Sequence, residues 1–323
     1  MCYNIRMELK TSRPRFFNEL KFSDDTVVKA SVDIEKIRSE YTFSKIAPQE
    51  LKQYLVEPHD FKIENNRASY SLARISSPDL SIPFTDGTLS LEDFQALLDL
   101  CFEYFKKRPT KSVPHADWQK VSDMLYAKKV KQRAAAFAKT SIASQVDSLV
   151  RAGTRFSSLD GVSDFYKMLF SKITTRRTGE NVLAASHGDF CLSNMFIVDG
   201  KLKLIDPRGA LSEAELFLDP YYDLAKLSHS ILGMYDFFNT KQYSINLDDQ
   251  LRFHLSFHNP PKPIFAKIFM AKLAENSYDY LLVRLYEASL FLSMLPLHID
   301  DPHKTFAFVL NAINILEEVS YAI

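Results

Sequence analysis

Short runs of alternating hydrophobic and polar residues open the chain, and this period of two predicts strands. Residues 16–22 alternate, a pair of aspartates then supplies a turn, and residues 26–30 are rich in β-branched side chains, so a hairpin is predicted. Residues 33–46 have apolar positions at helical spacing, which predicts a helix. A second hairpin is predicted between residues 53 and 75, around a turn made by two asparagines.

The pattern changes after Ser76, where serine and proline replace the strand-like runs. The segment 76–87 is therefore predicted to be a linker. Residues 90–107 are strongly amphipathic and begin with a near capping box, so a long helix is predicted there. Further helices are predicted over residues 115–150, 161–176 and 221–323. The chain is expected to be an α+β protein with two lobes, a small β-rich lobe of residues 1–76 and a larger, mainly helical lobe of residues 77–323.

Composition narrows the class of protein. A chain of 323 residues is long for one compact core, which supports two lobes. It has 40 basic and 40 acidic residues and no basic stripe, so a nucleic-acid partner is not expected. The basic cluster within residues 128–133 is predicted to be the solvated face of a helix, with a weak contact to an anionic ligand as the alternative. The N-terminus does not resemble a signal peptide, and no continuous apolar run of about 18 residues occurs, so a cytoplasmic protein without a membrane span is expected.

One segment carries the candidate chemistry. In His187-Gly188-Asp189 the aspartate precedes Asn194 by five positions, and an Asp-Gly turn between two apolar runs then leads to Asp206. An Asp-x4-Asn spacing followed by a hairpin that ends in Asp is the arrangement that phosphoryl transfer uses. Asp189 has the carboxylate needed to orient an attacking hydroxyl and accept its proton. Asn194 and Asp206 offer the oxygen ligands that Mg²⁺ prefers.

This segment resembles the catalytic and metal-binding loops of the aminoglycoside phosphotransferase and choline kinase family, which are small-molecule relatives of protein kinases. Residues 219–227, Asp-Pro-Tyr-Tyr-Asp-Leu-Ala-Lys-Leu, are similar to the family's next motif, in which an aspartate, here Asp223, braces the catalytic loop. The resemblance implies a two-lobed protein-kinase-like fold and a small-molecule hydroxyl as acceptor. It also implies ATP, with GTP as the alternative, and Mg²⁺ as cosubstrates, with His187 supporting the loop beside Asp189.

For the N-terminal lobe, the resemblance implies a lysine on a strand and a glutamate on the following helix. Lys29 and Glu40 stand at those places, and Glu35 is the competitor of Glu40. Such a lysine would contact the phosphates of the nucleotide. The glutamate would hold the lysine by an ion pair.

The phosphate loop departs from the family pattern, because no glycine stands before the first hairpin. Hydroxyls such as that of Ser12 would take the place of the glycines. Backbone groups near Ala73 and Arg74 are expected to meet the adenine edge. The missing glycines keep an alternative open, a nucleotide-binding pseudokinase that acts as a partner-binding module. The three retained side chains Asp189, Asn194 and Asp206 favour an enzyme.

Arg208 follows the second candidate metal ligand by two positions and completes the candidate catalytic residues. A guanidinium there could hold a phosphate or carboxylate of the acceptor, or contact the transferring phosphoryl group. The alternative is a salt bridge to Asp219 or Glu213. Residues 287–298 are similar to kinase-like proteins encoded with bacterial surface-polysaccharide pathways, and this resemblance suggests a sugar or polyol hydroxyl as the acceptor.

Overall fold

The computed structural model describes residues 18–177 and 181–323. Its N-terminal part contains the strands β1 Asn18–Phe22, β2 Thr26–Ser31, β3 His59–Glu64 and β4 Arg67–Ala73. They form an antiparallel sheet in the order β1-β2-β4-β3. The helix α1 Ile34–Ile46 connects β2 to β3 and packs on the sheet through a small apolar cluster around Ile37. The first predicted hairpin and the helix after it are confirmed.

The segment between α1 and β3 differs from the prediction. A short helix, α2 Gln49–Lys52, follows α1, and the second hairpin begins only at residue 59. The residues before it are paired with a distant part of the chain instead. The amide of Leu204 donates to the carbonyl of Tyr54 at 2.7 Å, and the amide of Val56 donates to the carbonyl of Leu204 at 3.0 Å.

The predicted linker contains a helical turn, α3 Ser81–Thr85. Leu80 and Phe84 are buried there, so the segment is folded against the larger part of the protein rather than extended. The amphipathic helix follows as predicted, as α4 Leu91–Lys107, and the side chain of Ser90 caps its N-terminus.

The helical prediction for residues 115–150 is confirmed, and the structure divides this part of the chain into several helices. The helices of this region are α5 His115–Ser122, α6 Lys129–Phe137, α7 Ala143–Gly153 and α8 Leu159–Ile173. A π-helical turn, Asp123–Lys128, joins α5 directly to α6, whereas turns at residues 138–142 separate α6 from α7. The helix predicted over residues 161–176 is confirmed as α8 and the 3₁₀ turn after it.

Two small sheets position the segment with the candidate chemistry. Their strands are β5 Thr110–Ser112, β6 Val182–Ala185, β7 Met195–Val198, β8 Lys201–Leu204 and β9 Phe217–Leu218. β6 lies between β5 and β9, and β7 pairs with β8 in an antiparallel hairpin. The predicted hairpin after Asn194 is therefore confirmed.

The C-terminal part is mainly helical. Its helices are α9 Glu213–Leu216, α10 Tyr221–Ile231, α11 Tyr235–Asn239, α12 Pro263–Glu275, α13 Tyr280–Met294 and α14 Pro302–Tyr321. The prediction of helix throughout is wrong for one stretch, where β10 Tyr243–Leu247 pairs with β11 Phe253–Phe257. Apolar residues alternate along both strands with a period of two, which is the pattern of a hairpin.

The helix α13 lies at the centre of the larger apolar core, and all its residues after the first are buried. The segment Tyr280–Leu297 is long and apolar enough to cross a membrane, but 83% of it is buried inside the protein. This is the pattern of a core helix, so no membrane span is indicated. A second apolar cluster joins α4 to residues 190–204 and supports the segment that carries Asp189.

Candidate active site

The loop after β6 carries Asp189 and approaches the segment after β8 closely. Gly188 has a φ of +77°, a conformation that favours glycine. A Cβ at this position would lie 2.6 Å from the Cβ of Arg208. The amide of Arg208 also donates to the carbonyl of His187 at 2.9 Å. The two segments therefore meet at a place where only glycine fits.

Asp223 in α10 holds this loop through its backbone. One carboxylate oxygen accepts from the amide of Gly188 at 2.8 Å, and the other accepts from the amide of His187 at 3.0 Å. The second oxygen also accepts from the hydroxyl of Tyr104 at 3.0 Å and from the guanidinium of Arg108 at 3.1 Å. Asp223 is 0% exposed, so the Arg108 charge and these hydrogen bonds are what make its burial tolerable.

His187 is also fully buried. Its Nδ1 accepts a hydrogen bond from the amide of Asp189 at 3.3 Å. Burial lowers the pKa of His187, although the carboxylates of Asp223 and Asp189 oppose the shift, and the imidazole is therefore neutral at neutral pH. This geometry fits the supporting position beside Asp189 that the sequence predicts for His187.

The carboxylate of Asp189 lies between two side chains of the C-terminal part. Lys226 Nζ is 2.7 Å from Asp189 Oδ1, and Asn194 Nδ2 donates to Asp189 Oδ2 at 3.2 Å. Burial alone would lower the pKa of Lys226, but the Asp189 carboxylate raises it above its usual value, so Lys226 stays charged. Sequence reasoning missed Lys226. Its signal is the spacing of three residues after Asp223, which places both side chains on one face of α10.

The β7–β8 hairpin brings Asn194 and Asp206 together at its open end. The amide of Ile205 donates to the carbonyl of Asn194 at 3.1 Å. Asp206 has a φ of +56°, which is uncommon for a residue with a side chain, and its carboxylate is 34% exposed. Unusual backbone conformations of this kind cluster at functional sites, where they aim a side chain.

The oxygen atoms at this point fit magnesium. The amide nitrogen of Asn194 donates to Asp189, and within the described ranges its amide oxygen has no hydrogen-bond partner. No three His, Cys, Asp or Glu side chains of residues 18–177 and 181–323 form a closed metal cluster. Mg²⁺ is usually bound by one or two protein oxygens together with phosphates and water. Asn194 and Asp206 can supply that donor set.

Lys29 connects the N-terminal sheet to this site. Its Nζ lies 2.8 Å from Glu40 Oε2 and 3.0 Å from Asp206 Oδ2. Burial would lower the pKa of Lys29, but Asp206 and Glu40 together raise it above its usual value. Glu40 is thus the partner of Lys29, whereas the competitor Glu35 pairs with Arg38 at the surface.

The two residues expected near the adenine edge, Ala73 and Arg74, lie at the end of β4 and just after it. Ala73 is the last residue of β4 and is exposed. The amide of Arg74 donates to the carbonyl of Asp25 at 2.9 Å, and its guanidinium donates to the carbonyl of Ser23 at 2.7 Å. The amide of Arg74 thus joins β4 to the β1–β2 turn, and a contact of the adenine edge with other backbone groups near Ala73 and Arg74 stays a prediction. Ser12 lies outside the described residues.

Arg208 is exposed beside the loop that carries Asp189, with its guanidinium 5.5 Å from the centroid of the Tyr222 ring. Asp219 contacts Arg177 instead. In the part of the chain that the structure describes, no carboxylate forms an ion pair with Arg208. The alternative of a salt bridge to Asp219 or Glu213 is thus wrong, and the guanidinium remains available for a ligand.

The comparisons with known proteins agree with this geometry at the level of the fold. No protein-family model matches the chain, and a search of curated proteins finds no match. Among solved structures, a glucosamine kinase in complex with glucosamine, ADP and inorganic phosphate is similar, with a TM-score of 0.54 and 13% identity. The match covers 95% of this chain and 82% of the glucosamine kinase chain.

Glucosamine kinase in crystal form A has a TM-score of 0.52 and 13% identity, over 93% of this chain and 75% of that chain. The GDP complex of aminoglycoside 2'-phosphotransferase-IIIa has a TM-score of 0.51 and 13% identity, over 98% of this chain and 94% of that chain. At such identity the likeness shows the fold. The chain therefore has the α+β, two-lobed, kinase-like fold of these small-molecule phosphotransferases, with a β-rich N-terminal part and a larger helical C-terminal part.

Proposed function

We propose that this protein transfers the γ-phosphate of ATP, or of GTP, to a hydroxyl group of a small molecule. The observation that carries the proposal is the convergence of three oxygen-bearing side chains, Asp189, Asn194 and Asp206. Asp189 lies on the loop that Asp223 holds in place, and Asp206 lies on the segment that meets this loop at Gly188. Phosphoryl transfer depends mainly on such positioning and on charge stabilisation, because the reaction makes little covalent demand on the protein.

The nucleotide would bind between a nucleotide-binding lobe, residues 1–76, and residues 77–323. Lys29, held by Glu40, is the candidate contact to the phosphates. Backbone groups near Ala73 and Arg74, at the end of β4, are the candidate contacts to the base, and Ser12 is a further candidate for the phosphates. This assignment supports ATP and GTP equally, because none of these groups distinguishes the two bases.

Asn194 and Asp206 would hold Mg²⁺, which supplies positive charge that offsets the negative charge of the phosphates. Asp189 would orient the acceptor hydroxyl and take its proton during transfer. Lys226 keeps the Asp189 carboxylate fixed by an ion pair, and Asn194 fixes its other oxygen. Arg208 would contact the acceptor or the transferring phosphoryl group from the side of Tyr222.

A sugar or polyol hydroxyl is the proposed acceptor. The similarity of the fold to glucosamine kinase supports a sugar. The resemblance of residues 287–298 to proteins of surface-polysaccharide pathways supports the same class of acceptor. A cytoplasmic protein is proposed, because the nucleotide cosubstrates are found there.

A coupled assay of ADP release tests the proposal on purified protein with Mg²⁺, ATP and a panel of sugars and polyols. Wild type is expected to turn over, whereas Asp189→Ala is expected to lose nearly all turnover and to keep its Mg·ATP-dependent thermal shift. Full turnover by Asp189→Ala would refute the assignment. If wild type binds the nucleotide but shows neither turnover of an acceptor nor slow hydrolysis of ATP, the pseudokinase is favoured.

A further inference from the structure

Two cationic side chains contact one buried tyrosine, and a third, Lys226, follows it on the same helix and pairs with Asp189. Tyr222 is 1% exposed and lies one helical turn before Lys226 in α10. Lys129 in α6 donates to its hydroxyl at 2.9 Å, and the guanidinium of Arg208 lies 5.5 Å from the centroid of its ring. Three different segments thus bring their positive charges to the same place.

Lys129 differs from the other basic residues of its cluster. Its neighbour Lys128 is exposed, whereas Lys129 is partly buried and lies against Tyr222, with Nζ 5.4 Å from the ring centroid. The prediction that this cluster is a solvated helix face is therefore wrong for Lys129. Among the residues whose structure is described, no carboxylate lies within ion-pair distance of Lys129 or Arg208. Lys226 alone has one, and that partner is Asp189.

The ionisation of the enclosed groups reports the same excess of positive charge. Burial would raise the pKa of Tyr222, but Lys129, Arg208 and Lys226 outweigh burial and lower this pKa to about 8. Burial lowers the pKa of Lys129, and the charges of Lys226 and Arg208 lower it further. A partly buried ammonium held only by a phenol hydroxyl is unfavourable, and an anion placed beside it would relieve the cost.

We propose that the acceptor carries an anionic group, a phosphomonoester or a carboxylate, which binds between Lys129 and Arg208 while its hydroxyl faces Asp189. The guanidinium suits either anion, because its planar fork matches both, and Lys129 adds a point charge. An acceptor whose only charge is an ammonium, such as glucosamine, is repelled by the same cluster. This inference rests on the proposed function and names the class of its acceptor, a sugar phosphate or a sugar acid.

A phosphate titration tests the cluster without requiring turnover. Inorganic phosphate is added to purified protein saturated with Mg²⁺ and AMP-PNP, which fills the triphosphate site, and the melting temperature is followed. Wild type is expected to be stabilised, and Lys129→Met to bind phosphate about tenfold to 100-fold more weakly, as for the loss of a hydrogen bond to a charged group. Lys128→Met is the matched control and is expected to behave as wild type. Lys129→Arg, which keeps the charge, is expected to retain most of the affinity and so separates loss of charge from misfolding.

The outcomes separate this inference from the proposed function. No stabilisation of wild type by phosphate, or equal stabilisation of all variants, overturns the inference. An effect of phosphate that disappears once AMP-PNP is bound also overturns it, because the cluster would then belong to the nucleotide. If the protein binds no nucleotide, the proposed function fails, and the same titration without AMP-PNP still shows whether Lys129 contributes to an anion site.

Matched acceptors then identify the anion. Glucose 6-phosphate, glucuronate, glucose and glucosamine are compared by kcat/KM in the ADP-release assay. A preference of about tenfold or more for the phosphate or for the carboxylate over glucose supports the inference and distinguishes the two anions. Turnover of glucose or glucosamine that equals or exceeds turnover of both anions overturns it.

Discussion

Replacing Asp223 removes a carboxylate that holds the loop carrying Asp189 and balances the charge of a buried arginine. In Asp223→Ala the amide of Gly188 and the hydroxyl of Tyr104 lose their acceptor, and the amide of His187 keeps only the Tyr104 hydroxyl. The side chain of Arg108 is 1% exposed and loses its only carboxylate among the described residues. Breaking a buried ion pair from one side costs about 3–5 kcal/mol, because an uncompensated charge stays buried.

We therefore expect the free energy of unfolding to fall by about 3–5 kcal/mol, a large part of the roughly 5–15 kcal/mol of a typical protein. Urea denaturation followed by far-UV circular dichroism measures this loss. Asp164→Ala is the control, since Asp164 pairs with Lys167 at the surface, where both side chains are more than half exposed. It should change stability by less than about 1 kcal/mol.

A second variant keeps this prediction testable if Asp223→Ala does not fold. Asp223→Asn retains the shape and one acceptor oxygen but loses the charge, so its loss of stability should be smaller and its catalytic turnover still reduced. The reasoning is refuted if Asp223→Ala unfolds within about 1 kcal/mol of wild type, the range expected of a surface pair.

Three further predictions follow from single contacts. Gly188→Ala should reduce both stability and turnover, by about 1–3 kcal/mol in urea denaturation, since alanine must adopt a positive φ and its Cβ meets Arg208. Lys226→Met should lower kcat by at least about tenfold and keep nucleotide binding, because Asp189 loses the ion pair that orients it. An unchanged kcat in the ADP-release assay would count against the orientation of Asp189 by Lys226. Burial raises the pKa of Asp236 to about 7, so wild type should lose stability as pH rises from about 4 through 7, whereas Asp236→Asn should not. Each pH unit between the unfolded and the folded pKa corresponds to about 1.4 kcal/mol of lost stability. If urea denaturation at pH 4 and pH 8 shows the same change in stability for both proteins, this prediction is contradicted.

The part of the site that short spacing determines could be predicted from the sequence. Asp189, Asn194 and Asp206 lie within 18 positions, and the Asp-Gly turn between two apolar runs fixes how the hairpin returns. The capped helix after Ser90 is predictable for the same reason, because a cap and an amphipathic period are local signals.

The rest depends on contacts between residues that are far apart in the chain. Tyr104 and Arg108 meet Asp223 across 119 and 115 positions, and no local pattern marks them as its partners. Lys129 looks like a surface lysine until Tyr222 is placed against it. The β10–β11 hairpin is hard to predict for another reason. Its alternation of apolar and polar residues is short and stands between long segments with helical periodicity.

In the proposed site, Asn194 and Asp206 bind the metal of a nucleotide complex while Asp189 faces the γ-phosphate. A crystal structure with Mg²⁺ and AMP-PNP locates the metal and the triphosphate relative to the three oxygen-bearing side chains. The account predicts Mg²⁺ at about 2.0–2.1 Å from Asn194 Oδ1 and from a carboxylate oxygen of Asp206, with Lys29 contacting phosphate and Asp189 facing the γ-phosphate across an open cleft. A triphosphate bound elsewhere, or a metal that touches neither Asn194 nor Asp206, would contradict it.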